Sequence, residues 1–268
     1  MKQINSLQNY KRNLKIKNIF IKSIKLLILV FFFFLWEILV NIGLLNEFLV
    51  SKPSAIFNLF LNYLSNNELI NHISISVLET LLGLFIGTTL GIIIAILLYF
   101  SSTAYKILEP YLTILNALPK TALAPILIIW AGTNIKGIVL VSISLSIIIT
   151  IISSYSHFRN TNVEHIKMMK ILNANRLQIL TKVILPSNFA NILSVIKLSL
   201  GLSWTGTIIA EFLVSKNGIG YLLMYGGQVF KLDLVMMGVI ILSIIAFIMY
   251  EIISIIEQKI RKGKIHKK

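Results

Sequence analysis

The chain has 268 residues and no cysteine. Disulfide frameworks, thiolate metal sites and cysteine nucleophiles are therefore excluded. Charge is also scarce: 13% of the residues are charged, and only ten are acidic. A soluble domain is about a quarter charged and coats itself with those side chains. An ordinary soluble enzyme, a disordered tail and a coiled coil are all excluded on that ground. His72, His157, His165 and His266 lie far apart without HExxH-like spacing, so no metal site is expected. Paired acids, a Ser/His/Asp constellation and a GxxxxGKS or GxxxxGKT phosphate loop are likewise missing. We expect no catalytic residue and no cofactor.

What is abundant is apolar. Hydrophobic residues make up 56% of the chain and the mean hydropathy is +0.85, which predicts an all-α polytopic membrane protein. A bilayer core about 30 Å thick takes about 20 helical residues to cross. Segments 81–100, 137–155 and 234–250 contain no charge. Three more, 24–45, 107–132 and 188–214, are interrupted by polar groups, which makes six spans the most economical count.

The net charge of +15 would suggest nucleic acid in a soluble protein, but the loops explain it better. Alternate loops and the two termini hold 19 basic residues on one side of the spans and four on the other. Basic residues accumulate in cytoplasmic loops, so both termini are placed in the cytoplasm and no nucleic-acid partner is expected. The long basic start and the absence of a small-x-small site argue for a retained first helix over a cleaved signal. The expected organisation is a basic segment 1–23, one membrane domain 24–258 and a basic tail 259–268.

Several features do more than span. Gly83, Gly87 and Gly91 fall on one helix face and predict a close backbone seam, either within the chain or at a moving or subunit contact. Pro110, Pro119 and Pro125 divide the third span, as a structural kink or as the border of a permeation path. Lys197 and Glu211 are ionisable groups in the fifth span. They are about 21 Å apart along a helix and cannot pair with each other. Each either serves the path or snorkels to an interface. Glu37 and Glu79 are expected nearer the membrane surfaces.

Loop 158–187 is long, basic and cytoplasmic. Thr161 and Glu164 have capping-box spacing, and Val163, Ile166, Met169 and Leu172 give a short helix an apolar stripe. Lys167 and Lys170 lie off that stripe, and Asn173 suits a left-handed C-terminal cap. A second helix is expected from Arg176, with Leu177, Leu180 and Ile184 on one face, stopping before Pro186. Periodicity alone fits either an amphipathic segment on anionic lipid or a docking element for a soluble partner.

From about Pro53 onward the chain resembles the inner-membrane permeases of binding-protein-dependent ABC importers, in the nitrate/sulfonate/taurine branch with the MetI-like fold. Their loop signature is Glu-Ala-Ala, then Gly, then an aliphatic residue before Leu-Pro. Anchored on Leu185-Pro186, it falls on Lys167-Met168-Met169, on Asn173 (followed by Ala174) and on Val183. The spacing and Leu-Pro hold, while Glu and Gly are replaced. Lys52-Pro53-Ser54-Ala55, the run from Pro119 through Pro125 to Trp130-Ala131-Gly132, the run from Leu200 to Trp204, Ala210-Glu211, Asn217-Gly218-Ile219-Gly220-Tyr221 and Asp233 resemble further segments of that branch in order.

The resemblance implies a multi-pass subunit of the bacterial plasma (inner) membrane that pairs with a second copy. It would dock through Thr161–Pro186 onto a cytoplasmic ATPase, present in two copies and binding the ATP. An extracytoplasmic solute-binding protein would deliver a small, often anionic solute to it. An ion-coupled secondary transporter and a non-transporting scaffold are the alternatives; no inverted halves are evident to favour the former.

Overall fold

The computed structural model describes residues 2–265, so the end of the basic tail, including His266, lies outside the described residues. In chain order the helices are α1 (Lys2–Asn41), α2 (Glu47–Val50), α3 (Pro53–Ser65), α4 (Glu68–Phe100), α5 (Ser102–Ala117), α6 (Lys120–Ala131), α7 (Ile135–Arg159), α8 (Val163–Ile171), α9 (Arg176–Ile179), α10 (Leu185–Val214), α11 (Ile219–Gln228) and α12 (Leu232–Ile265). A π turn over Leu180–Ile184 joins α9 to α10. No strand occurs among the described residues. Five helical stretches are long and apolar enough to cross a membrane, and the pair α5 and α6 makes a sixth if counted as one bent span.

Three features of the helices add to or change the expectation, and two of them have a local cause. The basic start and the first span form one continuous helix, α1. The third span is two helices bent by 97°. Leu118, immediately before Pro119, is extended at φ −61°, ψ 139°, because the proline ring disfavours helical backbone in the residue ahead of it. Pro119 therefore makes the break, while Pro110 and Pro125 lie inside α5 and α6. The second loop helix does not stop before Pro186: residues 176–214 form one apolar stretch long enough to span. The wider π turn just ahead of Pro186 accommodates the missing backbone donor.

The centre of the fold is a seam of small residues. Gly83, Gly87 and Gly91 of α4 face Ser142, Ser146 and Thr150 of α7. A Cβ on Gly87 would come within 2.5 Å of Ser146 Oγ, one on Gly91 within 2.7 Å of Thr150 Cβ, and one on Gly83 would overlap Ser142. The seam is thus within the chain. Helices in lipid have no hydrophobic drive toward one another, so close approach and hydrogen bonds hold them. Ser142 Oγ donates to the Ser203 carbonyl at 3.0 Å, and Thr150 and Ser199 hydroxyls pair at 2.7 Å, tying α10 to α7. Apolar clusters flank the seam. One joins Trp204 to Ile56, Leu69, Ile219, Leu222 and Leu234, and another joins Leu98, Tyr155, Phe158, Leu180 and Ile184.

Candidate functional site

Two loops hang on opposite ends of α10, and the candidate site residues sort between them. The first follows α10. Its C-terminal residues lead into Gly218 at φ 101°, a backbone conformation open to glycine and strained for other residues. The loop turns back over Glu211, whose side chain is fully buried. Glu211 Oε1 accepts from Ser76 Oγ and Oε2 from the Gly220 N–H, both at 2.6 Å. Ser76 in turn accepts the Ile219 N–H at 2.8 Å, and His72 Nδ1 accepts the Gly218 N–H at 2.9 Å. Glu211 thus takes one orphan donor at the start of α11, and Ser76 and His72 take the two before it. A Cβ on Gly218 would overlap the Glu211 carboxyl, and one on Gly220 would come within 2.7 Å of Glu211 Cβ. The Asn217-Gly218-Ile219-Gly220 run is glycine-rich because Glu211 occupies the space.

The surface position expected for Glu79 is therefore incorrect, and of the two readings left open for Glu211 the snorkelling one does not hold. Glu79 is 4% exposed and its side chain contacts Glu211. Lys197 does not snorkel either. It forms an ion pair with Glu257 of α12, lies 5.2 Å from the Tyr250 ring centre, and shares Glu257 with Ser194 Oγ at 2.9 Å. Trp204 is packed in the core between α10 and α11. Pro119 and Pro125 sit on the exposed surface of α5 and α6, where Ile129 and Trp130 project. Glu37 accepts from both N–H and Oγ of Ser54, capping α3 behind Pro53 and giving the Lys52-Pro53-Ser54-Ala55 run its role.

Sequence reasoning missed His72, Ser76 and the depth of Glu79. The signal existed: positions 72, 76, 79, 83, 87 and 91 share one face of α4, so the polar residues continue the glycine stripe.

The second loop precedes α10. Asn162, not Thr161, caps α8, its side chain accepting the Glu164 N–H at 2.8 Å. Thr161 is buried instead, and its Oγ1 accepts from Asn188 Nδ2 of α10 at 2.7 Å. The same amide donates to the Ile184 carbonyl at 3.0 Å, stitching the π turn. At the far end Asn173 takes φ 53°. Its N–H bonds the Lys170 carbonyl and the Ala174 N–H bonds the Met169 carbonyl, both at 3.0 Å. That pair of bonds is a Schellman closure, with asparagine in the left-handed position. Asn175 and Gln178 then cap α9 reciprocally.

The four-residue stripe expected on α8 divides in two. Ile166 and Met169 pack inward with Ala174, while Val163 and Leu172 are exposed because an α-helix needs about 3.6 residues per turn, so positions three apart drift around it. Leu177 is likewise exposed, and Ile179 takes its place beside Leu180. The outer face of α8 therefore presents Met168, Ile171 at 82% exposure and Leu172 at 69%, together with Lys167. Behind it lies a cavity of about 430 Å³ bordered by Phe100, Phe158, Arg159, Lys170 and Arg176.

With this geometry established, three comparisons identify the family. Residues 87–262 match the model of the binding-protein-dependent transport system inner membrane component. The chain is 29% identical over 231 residues to a putative aliphatic sulfonates transport permease protein of Bacillus subtilis (strain 168), covering 86% of this chain and 83% of that one. It is 28% identical over 179 residues to the taurine transport system permease protein of Escherichia coli (strain K12), covering 66% and 65%. Its fold matches an inward-facing MetNI methionine ABC transporter structure with a TM-score of 0.64 at 15% identity, over 72% of this chain and 95% of that one. The chain belongs to the binding-protein-dependent transport system inner membrane components, as a MetI-like membrane-spanning translocation subunit.

Proposed function

We propose that this permease imports a small anionic solute of the sulfonate class, powered by a cytoplasmic ATPase that docks on α8. The observation that carries the reading is α8 itself. It is capped at both ends, anchored to α10 through Thr161 and Asn188, and turns large apolar side chains outward. A connector between two membrane helices needs none of this. The solute class rests on the sulfonate and taurine relatives. An extracytoplasmic binding protein delivers the solute, and a second copy of the chain covers the exposed face of α5 and α6 to complete the path. Both termini lie in the cytoplasm of a bacterial cell, on the side of the basic loops.

In this reading, closure of two ATPases on ATP moves the two docked α8 helices. The Thr161–Asn188 bond and the closed turn at Asn173 carry that motion into α10. Lys167 replaces a family glutamate on the docking face, so the cognate ATPase carries an acidic partner for it. The experiment is co-purification of the tagged chain with its neighbouring gene products in mild detergent. A complex of two permeases and two ATPases with vanadate-sensitive hydrolysis, stimulated by a sulfonate-loaded binding protein, is expected. A chain that purifies alone contradicts the reading.

A further inference from the structure

Glu79 and Glu211 raise a problem that the loop clamp alone does not solve. Glu211 is fully buried, Glu79 is 4% exposed, and Ser76, one turn before Glu79 on the same face of α4, bonds Glu211 directly, which makes the two carboxyl groups neighbours. An ionised carboxylate only accepts hydrogen bonds. Two of them cannot bond each other, and buried like charges must be neutralised or paired. The neighbours supply dipoles but no charge. The Ser76 hydroxyl and the Gly220 N–H both donate to Glu211, and Glu79 Oε2 is buried with no hydrogen-bond partner.

The charged and titratable groups on the surrounding elements do not fill the gap. His72 on α4 uses Nδ1 as an acceptor for Gly218, which makes it the neutral tautomer. Lys136 at the start of α7 and Lys216 in the outer loop are exposed, and the ion pairs among the described residues join Lys52 to Glu47 and Lys197 to Glu257. A cavity of about 430 Å³, bordered by Glu79, Asn134, Ile138, Ser215, Lys216 and Asn217, opens beside the pair.

We propose that Glu79 and Glu211 bind one monovalent cation, a proton or Na⁺, between their carboxyl groups, and that this charge keeps the outer loop closed over α10. The cation enters through the cavity beside Glu79. Its loss leaves two facing negative charges, and the element that yields is the loop, which is tied to Glu211 by the Gly220 N–H. The inference is independent of the transported solute and of the ATPase.

The test exploits the lack of native cysteine. Asn217→Cys places a single thiol on the exposed part of the loop in the full chain. Its maleimide labelling rate is measured at low and high pH, each with Na⁺ or with choline in its place. Every rate is divided by that of the same reporter carrying Glu79→Gln, which cancels the ionisation of the thiol. The ratio is expected to rise at least about fivefold on going from about pH 6 to about pH 9 in choline, across the range in which buried carboxyl groups titrate. A fall back on adding Na⁺ identifies sodium as an occupant, and no fall identifies the proton alone; either supports the site. A ratio that is the same in all four buffers overturns it. Should Glu79→Gln fail to fold, the thermal midpoint of the unsubstituted protein takes over. A midpoint that drops at high pH in choline supports the site, and one unchanged by pH and Na⁺ overturns it.

Discussion

The two loops at the ends of α10 are built from the same materials for opposite purposes. Each is fixed to the helix by a short polar side chain, Glu211 at one end and Asn188 at the other. The loop after α10 then folds inward, so its glycines touch the carboxyl that holds it. The loop ahead of α10 folds outward, burying Thr161 but leaving Met168, Ile171 and Leu172 in the open. A loop that buries its anchor and the glycines packed on it is a clamp. One that buries the anchor and exposes the tip is a handle. On the proposed function, the difference separates a part that holds from a part that is gripped.

Breaking the clamp is expected to have the largest effect. Gly218→Ala places a methyl group into the Glu211 carboxyl at a positive φ, costing about 3 kcal/mol or more from overpacking and backbone strain together. Loss of the monodisperse species on size-exclusion chromatography is the readout. Gly227→Ala, which meets nothing within 4 Å, is expected to leave that profile unchanged. The handle behaves differently. Ile171→Asp sits on an exposed surface and leaves the permease folded, with its melting temperature unchanged, yet co-purification of the ATPase is lost. A variant that melts early while still retaining the ATPase would break the distinction between the two loops.

The joint behind the handle comes next. Asn188→Leu removes the partner of the buried Thr161 hydroxyl, at a cost of about 1–3 kcal/mol. Hydrolysis per solute imported is expected to rise several-fold while the complex stays assembled, and Asn188→Ser to recover part of the coupling. The smallest effect belongs to the surface pair Lys52–Glu47 at 2.8 Å. The Glu47 carboxylate raises the Lys52 ammonium above the usual lysine range. With the folded value raised, the stabilisation is present through neutral pH and is lost as pH climbs past the ordinary lysine range toward the folded value. Water screens the exposed pair, so Lys52→Ala is expected to leave the melting temperature at neutral pH within error.

The span count, the small-residue seam and the loop helix were all legible in the sequence, because each rests on a period or a composition. Gly83, Gly87 and Gly91 announce a close approach by spacing alone, but which helix approaches depends on Ser142, Ser146 and Thr150, which nothing in the α4 sequence names. Asn173 was readable as a left-handed cap from its chemistry. Thr161 was misread as a cap because Asn162 beside it offers the same acceptor, and the tertiary bond to Asn188 decides between them. Lys197 and Glu211 were left between two readings for a related reason. Their partners, Glu257, Ser76 and Gly220, come mostly from other helices, and in lipid a pairing across helices replaces the escape to water that a single helix would suggest.

The most direct test of clamp against handle follows both loops through one catalytic cycle. Spin labels at Met168 and Lys106 report α8 against α5, and labels at Asn217 and Asn71 report the outer loop against α4. All four positions are exposed, and no native thiol interferes. At fixed pH and Na⁺, vanadate trapping of the assembled complex is expected to change the first distance and leave the second unchanged. A first distance that stays fixed while the second changes would contradict the account.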